Sequence, residues 1–326
     1  MTHLKLAVAS LLLALGMPLA AEPGPPVSST EIAVGEDLPY AFFATPDGAG
    51  PHPVVVLLGG SEGGDSSARE FAKRFLGEGY AILGLPYYSP AYFGQDQQLA
   101  GMQKAFSSIP LDKLEVARDW LRARDDVRAD AIGLYGVSKG AEFVLAGASR
   151  IDGFAAVVAI VPSDVIWEGW GPGTTPGGPS SFAWRGEPLA FVPYLGMEAE
   201  FAKYADPDQT VRLRTPQDAG RRANPDRVPG ARIRVEEIDE PVLVAGGDQD
   251  NTWDSGLMAQ NIAERRAEAG GLETVALIYP DAGHALSGTG VQRTEGEFRY
   301  SEADLAAQAE IWPATLAFLA EHLTGE

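Results

Sequence analysis

The stretch Ala131-Ile-Gly-Leu-Tyr-Gly-Val-Ser-Lys-Gly-Ala-Glu142 decides the fold of this 326-residue chain. Ala131 to Tyr135 is a short apolar run of strand character, and Lys139 to Ser149 reads as a helix. Between them, Gly136-Val137-Ser138-Lys139-Gly140 has the form glycine-x-serine-x-glycine. That pattern turns a strand abruptly into a helix and exposes the serine on a strained backbone. The glycines are required because the turn brings backbone segments too close together for larger side chains.

The pattern repeats on both sides of this stretch. Upstream, Val54 to Leu58 is continuously apolar and ends in Gly59-Gly60, as expected of a strand buried on both faces. Ser66 to Glu78 has helical spacing at Phe71, Phe75 and Leu76, Tyr80 to Leu83 reads as a strand, and Leu111 to Arg124 as a helix. Downstream come a strand at Phe154 to Val161, a strand at Pro241 to Ala245, a helix at Ser255 to Ala269 and a strand at Thr274 to Tyr279. A closing helix begins at Ser301, where Ser-Glu-Ala-Asp fits a capping box. The alternation predicts an α/β fold with a mostly parallel sheet and helices on both faces. Residues 163–238 break the rhythm, with a Gly/Pro-dense stretch at Gly169 to Pro179 and tryptophans at 167, 170 and 184. A long irregular segment inside a compact domain suggests a lid whose tryptophans wall a pocket.

Bulk properties narrow the function. Apolar residues make up 45% and charged residues 21%, sufficient for a large core. The net charge of −20 repels phosphate backbones and anionic lipid, which argues against nucleic-acid and membrane-surface partners. The absence of cysteine removes disulfides, thiolate metal sites and a thiol nucleophile. Lys5, the apolar run Leu6 to Gly16 and Leu19-Ala20-Ala21 have the form of a leader peptide. Residues 1–21 are therefore expected to be a signal peptide and 22–326 a single domain, exported to the periplasm or secreted. The apolar run is too short for a membrane span, so no stable insertion is expected after cleavage.

Serine needs an adjacent base to become a nucleophile. Of four histidines, His3 lies in the leader, His52 before the first core strand and His322 near the end of the last helix. His284 follows the strand ending at Tyr279, at the sheet edge that carries Ser138. The third member should lie between them in the chain, and strand 241–245 leads into Asp248 and Asp250. A calcium loop over Asp248, Asp250 and Asp254 fails at Trp253 and Ala259, where glycine and a bidentate glutamate are required. Donors for a developing oxyanion are expected from the backbone N–H of Lys139 and from the loop Gly59 to Gly64, with Ser61 preferred over Glu62. That glycine-rich loop lacks the G-K-[ST] ending of a phosphate cradle. The Lys139 side chain opposes the helix dipole and reads as either solvated or touching a substrate anion, whereas Glu142 suits the dipole and reads as structural.

Several separated motifs in order resemble one family. They are Gly136-Val-Ser-Lys-Gly-Ala-Glu142, Trp184-Arg-Gly-Glu-Pro-Leu189, Val235-Glu-Glu-Ile238, Asp250-Asn-Thr-Trp253-Asp-Ser255 and Tyr279-Pro-Asp-Ala-Gly-His284. Together they resemble the C-terminal catalytic domain of acyl-CoA thioesterases and bile acid-CoA:amino acid N-acyltransferases, over about residues 51 to 320. The resemblance implies the α/β-hydrolase fold with a lid insertion, whose G-x-x-D pattern after Gly247 selects Asp250 with Asp248 in reserve. It further implies a catalytic triad of Ser138, His284 and Asp250, with serine rather than cysteine favouring hydrolysis over transfer to an amino acid. The expected reaction is cleavage of a carboxylic ester or acyl thioester by an acyl-enzyme route, with a small-molecule acyl substrate and no cofactor or metal. The alternatives are a dienelactone-hydrolase-like or peptidase-like hydrolase, and a catalytically inactive binding protein on the same fold.

Overall fold

Residues 30–90, 99–206, 208–270, 273–292 and 299–325 are described by a computed structural model. The strands, in chain order, are β1 (Thr30–Ala33), β2 (Phe42–Thr45), β3 (His52–Leu58), β4 (Ala81–Gly84), β5 (Ile109–Pro110), β6 (Val127–Val137), β7 (Ala156–Ile160), β8 (Phe182–Trp184), β9 (Glu187–Pro188), β10 (Val242–Gly247) and β11 (Thr274–Tyr279). The helices are α1 (Ser66–Gly77), α2 (Lys113–Arg122), α3 (Lys139–Ala148), α4 (Met197–Ala202), α5 (Arg214–Ala223), α6 (Val228–Ala231), α7 (Ser255–Glu268) and α8 (Glu302–Leu323). The expected leader, residues 1–21, lies outside the described residues. No helix among the described residues is long and apolar enough to cross a membrane.

The main sheet has the order β1-β2-β4-β3-β6-β7-β10-β11. From β4 to β11 neighbouring strands are parallel, while β2 runs antiparallel to both β1 and β4. Strand alternation divides the core into two layers. Val54, Val56 and Leu58 pack on one face with Leu114 of α2, Val144 of α3 and Ile262 of α7. Val55 and Leu57 pack on the other with Phe75 of α1 and Leu319 of α8. Helices therefore cover both faces, which is why the central strands are continuously apolar.

The antiparallel β1–β2 edge was not foreseen; each of these strands is only four residues long. Residues 163–238, expected to be an irregular lid, contain short elements instead: β8, β9 and α4 to α6. Strand β8 joins β5 and β9 in a separate three-stranded sheet, tying this insertion to the segment before α2. The insertion leaves the main sheet just past β7 at Val161, which has φ 46. Positive φ is a genuine outlier for a β-branched residue and marks stored backbone strain.

Candidate active site

Three parallel strands bring the candidate residues to one edge. Ser138 lies between β6 and α3, Asp250 follows β10, and His284 follows β11. Ser138 has φ 57 and ψ −118 and is 6% exposed. A Cβ on Gly136 would lie 2.3 Å from the Gly140 carbonyl oxygen, and one on Gly140 would lie 2.3 Å from the Gly59 oxygen and 2.6 Å from the Leu58 oxygen. These neighbours are backbone and cannot swing aside. Gly140→Ala is therefore expected to push α3 off β3 and cost about 1–3 kcal/mol, as overpacking does. Urea denaturation measures this, and an alanine variant as stable as the parent would refute the steric argument.

His284 Nδ1 lies 2.7 Å from Asp250 Oδ2, and Nε2 lies 3.0 Å from Ser138 Oγ. An ionised carboxylate can only accept, so the Nδ1 position carries the proton and the Nε2 lone pair faces the serine hydroxyl. Asp250 is 1% exposed. Its Oδ1 accepts N–H bonds from Thr252 (2.7 Å) and Trp253 (3.3 Å), so both carboxylate oxygens are engaged. Asp248 is exposed. A Cβ on Gly256 of α7 would lie 2.1 Å from its Oδ1, so its carboxylate is turned to that helix. Asp250 is the aspartate brought to His284.

Two further residues brace the His284 loop. Trp253 meets the ring edge-to-face with centroids 5.5 Å apart. Ser301 caps α8 by accepting the Asp304 N–H at 3.0 Å, but the Asp304 carboxylate does not return to Ser301 as a full capping box would. It accepts the Gly283 N–H at 2.6 Å, pinning the residue before His284. The sequence spacing identified the cap and could not reveal that its acid serves a loop some twenty residues earlier.

Of the expected oxyanion donors, Lys139 directly follows Ser138, and Ser61 follows a residue that adjoins it. Lys139 opens α3, so its N–H has no acceptor within the helix. Gly60 adjoins Ser138, since a Cβ on Gly60 would come within 3.2 Å of the serine Cβ. The Tyr87 hydroxyl shares its one proton between the Gly59 and Gly60 carbonyls, 2.8 and 2.9 Å away, and the Tyr88 hydroxyl donates to the Ser61 carbonyl. Across a trans peptide the C=O and the following N–H point opposite ways. Holding the Gly60 carbonyl therefore fixes the direction of the Ser61 N–H. The Gly60 N–H is taken by Glu62 Oε1 at 2.8 Å. Tyr87 and Tyr88 follow β4, and no spacing in the sequence links them to this loop.

The Lys139 side chain is neither solvated nor open to a substrate anion. It is 1% exposed and pairs with Glu142, itself 0% exposed, at 2.5 Å. Its ammonium also donates to Ser181 Oγ at 3.1 Å and lies 4.9–5.4 Å from the ring centroids of Phe106, Phe182 and Trp170. Burial pushes the lysine down and the glutamate up from their ordinary values, and their mutual attraction opposes both shifts. Glu142 Oε1 accepts the Trp167 N–H at 3.2 Å, so this pair bolts the insertion to the helix that follows Ser138.

The three tryptophans have separate positions. Trp167 is fully buried and donates Nε1–H to Ser163 Oγ at 2.8 Å. Trp184 is half-buried beneath Arg185. Trp170 stacks on Phe106 at 4.4 Å and, with Tyr194, Met197 and Phe201, lines a cavity of about 310 Å³. Of the three, Trp170 alone borders that cavity. Among the described residues, one group could hold a metal: Glu273, Glu321 and His322. Glu273 precedes β11 whereas His284 follows it, so this group lies at the opposite end of the strand from His284.

The sheet order, the serine on its strained turn and the aspartate and histidine just past β10 and β11 define an α/β-hydrolase fold. The chain belongs to the BAAT / acyl-CoA thioester hydrolase C-terminal family, whose model matches residues 109–288. The dienelactone hydrolase family model also matches residues 40–168. Mouse acyl-coenzyme A thioesterase 5 is 28% identical over 313 residues, covering 90% of this chain and 66% of that protein. Rat acyl-coenzyme A thioesterase 1 is 26% identical over 255 residues, covering 78% and 54%. Rat acyl-coenzyme A amino acid N-acyltransferase 2 is 28% identical over 264 residues, covering 81% and 55%. The chain thus spans roughly half to two thirds of these relatives. Among solved structures, a Pyrococcus furiosus esterase superposes with a TM-score of 0.53 at 14% identity, covering 94% of this chain and 97% of that one. A 2,6-dihydroxy-pseudo-oxynicotine hydrolase superposes with a TM-score of 0.52 at 17% identity, covering 92% and 69%. At these identities the superpositions speak for the fold.

Proposed function

We propose that this chain is an exported serine hydrolase that cleaves an acyl thioester or carboxylic ester through an acyl-enzyme intermediate. The observation that carries this reading is the continuous relay from Asp250 Oδ2 through His284 to Ser138 Oγ, at 2.7 and 3.0 Å. Similarity to acyl-coenzyme A thioesterases supports the thioester, and the dienelactone hydrolase match supports the ester. His284 Nε2 takes the hydroxyl proton as Ser138 Oγ attacks the acyl carbon, and the carbonyl electrons move onto oxygen. The N–H groups of Lys139 and Ser61 receive that oxyanion. Collapse expels the thiolate or alkoxide, which takes the proton from the imidazolium. Water, deprotonated by the same nitrogen, then attacks the acyl-serine and releases the acid. Asp250 keeps the proton on Nδ1 and stabilises the imidazolium throughout.

Matched ester and thioester series of increasing acyl length test the substrate class. Hydrolysis of a thioester at a kcat/KM at least equal to that of its oxygen ester is the expected result. Turnover of esters alone would leave the dienelactone-hydrolase-like reading. No turnover and no fluorophosphonate labelling would leave a binding protein on this fold.

Export is read from Lys5, the Leu6 to Gly16 run and Leu19-Ala20-Ala21. N-terminal sequencing of the protein recovered from outside the cytoplasm is expected to begin near Glu22. A cytoplasmic protein that retains residues 2–21 would refute export and favour an intracellular thioester.

A further inference from the structure

Helix α5 belongs to the insertion, some thirty residues before Asp250, yet its first turn is devoted to the loop that carries that aspartate. Arg214 N–H donates to the Asn251 carbonyl at 2.8 Å. The Arg214 guanidinium donates from Nη1 to the carbonyls of Asp248 (2.9 Å) and Asp250 (3.4 Å), and its Nη2 pairs with the Asp254 carboxylate. Three residues on, and so on the same helix face, Gln217 donates Nε2–H to the Thr252 carbonyl at 2.9 Å. Two residues of the insertion thus hold the carbonyls of residues 248, 250, 251 and 252. The same loop turns the N–H groups of Thr252 and Trp253 inward to Asp250 Oδ1, which leaves Oδ2 for His284. The loop is therefore gripped from inside by the aspartate and from outside by the arginine. A planar guanidinium has the several fixed donors needed to address two carbonyls and a carboxylate together, which an ammonium lacks.

We propose that Arg214 is a positioning residue for Asp250, so that the seated insertion completes the relay by fixing the loop between β10 and α7. The proposal rests on the reading of Ser138, His284 and Asp250 as a catalytic relay. Displacement of a reacting group by about 1 Å can cost roughly 10²-fold in rate, which sets the scale of the expected loss. The Arg214 side chain is 29% exposed, so its replacement opens no large cavity in the core.

The test is a double-mutant cycle on the purified protein with a short acetate ester, reading kcat and KM separately and the rate of fluorophosphonate labelling. Arg214→Met is expected to lower kcat and the labelling rate by roughly 10- to 10²-fold, with KM changed less than about twofold because no substrate contact is removed. In an Asp250→Asn background the same substitution is expected to have almost no further effect, since residues acting as one unit are non-additive. A purely architectural role for Arg214 would instead multiply the two losses, and that outcome overturns the proposal. So does a folded Arg214→Met variant with undiminished kcat. If Arg214→Met fails to fold by circular dichroism, Arg214→Gln enters the same cycle with the same two overturning results. An Asp250→Asn variant with full activity would instead refute the relay itself, an outcome read separately from the behaviour of Arg214.

Discussion

Ser138→Ala is expected to abolish covalent labelling by a fluorophosphonate and to lower kcat by on the order of 10⁶, the scale on which removal of a triad nucleophile acts. Such probes react with activated serines and spare ordinary hydroxyls, because only a serine with a base in hydrogen-bond reach acquires alkoxide character. Ser138 has the His284 imidazole 3.0 Å away and lies on a backbone at φ 57, flanked by Gly136 and Gly140, neither of which has room for a Cβ. The alanine variant removes the oxygen and leaves the backbone N–H of Lys139 where it was, so residual rate above water would report the oxyanion donors and substrate binding. Mass spectrometry of the labelled protein and initial rates on an acetate ester are the two measurements. Labelling that persists at another serine in the alanine variant would refute the assignment outright.

Asp250→Asn is expected to lower kcat by roughly 10⁴, with substrate binding nearly unchanged. Asparagine keeps the shape but offers an amide where a carboxylate accepted, so the imidazole loses its preference for carrying the proton on Nδ1. With the wrong tautomer, Nε2 presents a hydrogen to Ser138 and cannot remove one. Asp248→Asn, two residues away, is expected to cost less than about tenfold, since Asp248 is exposed and its carboxylate faces α7. Steady-state kinetics on both variants distinguish the two aspartates. A larger loss at Asp248 would overturn the assignment of the acid.

Much of this was legible along the chain because it depends on local pattern. The apolar runs at 54–58, 131–135 and 241–245 announced a parallel sheet, and Gly136-x-Ser-x-Gly140 announced a strand–helix turn that only glycine-flanked sequence can make. Four histidines are few enough for position alone to single out His284. Asp250 was harder, since Asp248 follows the same strand, and the choice between them leaned on a family pattern. The geometry that brings Asp250 to His284 depends on how the loop closes on its own N–H groups.

What local pattern cannot carry is contact between distant segments. The side chain of Lys139 looked like an exposed cation at an unfavourable helix end. It is buried against Glu142 because residues 163–182 fold back over α3 and supply Ser181, Trp170 and Phe182, which enclose it together with Phe106 from the segment before β5. Asp304 looked like half of a capping box, yet its carboxylate holds Gly283 because α8 packs beneath the His284 loop. Tyr87, Tyr88 and Arg214 had no role visible in sequence, since each binds backbone carbonyls, and a carbonyl bears no mark of residue type. The sequence by itself determined which strands Ser138, Asp250 and His284 follow, because secondary-structure periodicity and turn sterics are properties of neighbouring residues. The tertiary structure alone decided which side chains brace those three, because hydrogen bonds to loop backbone form wherever the fold brings donors within about 3 Å.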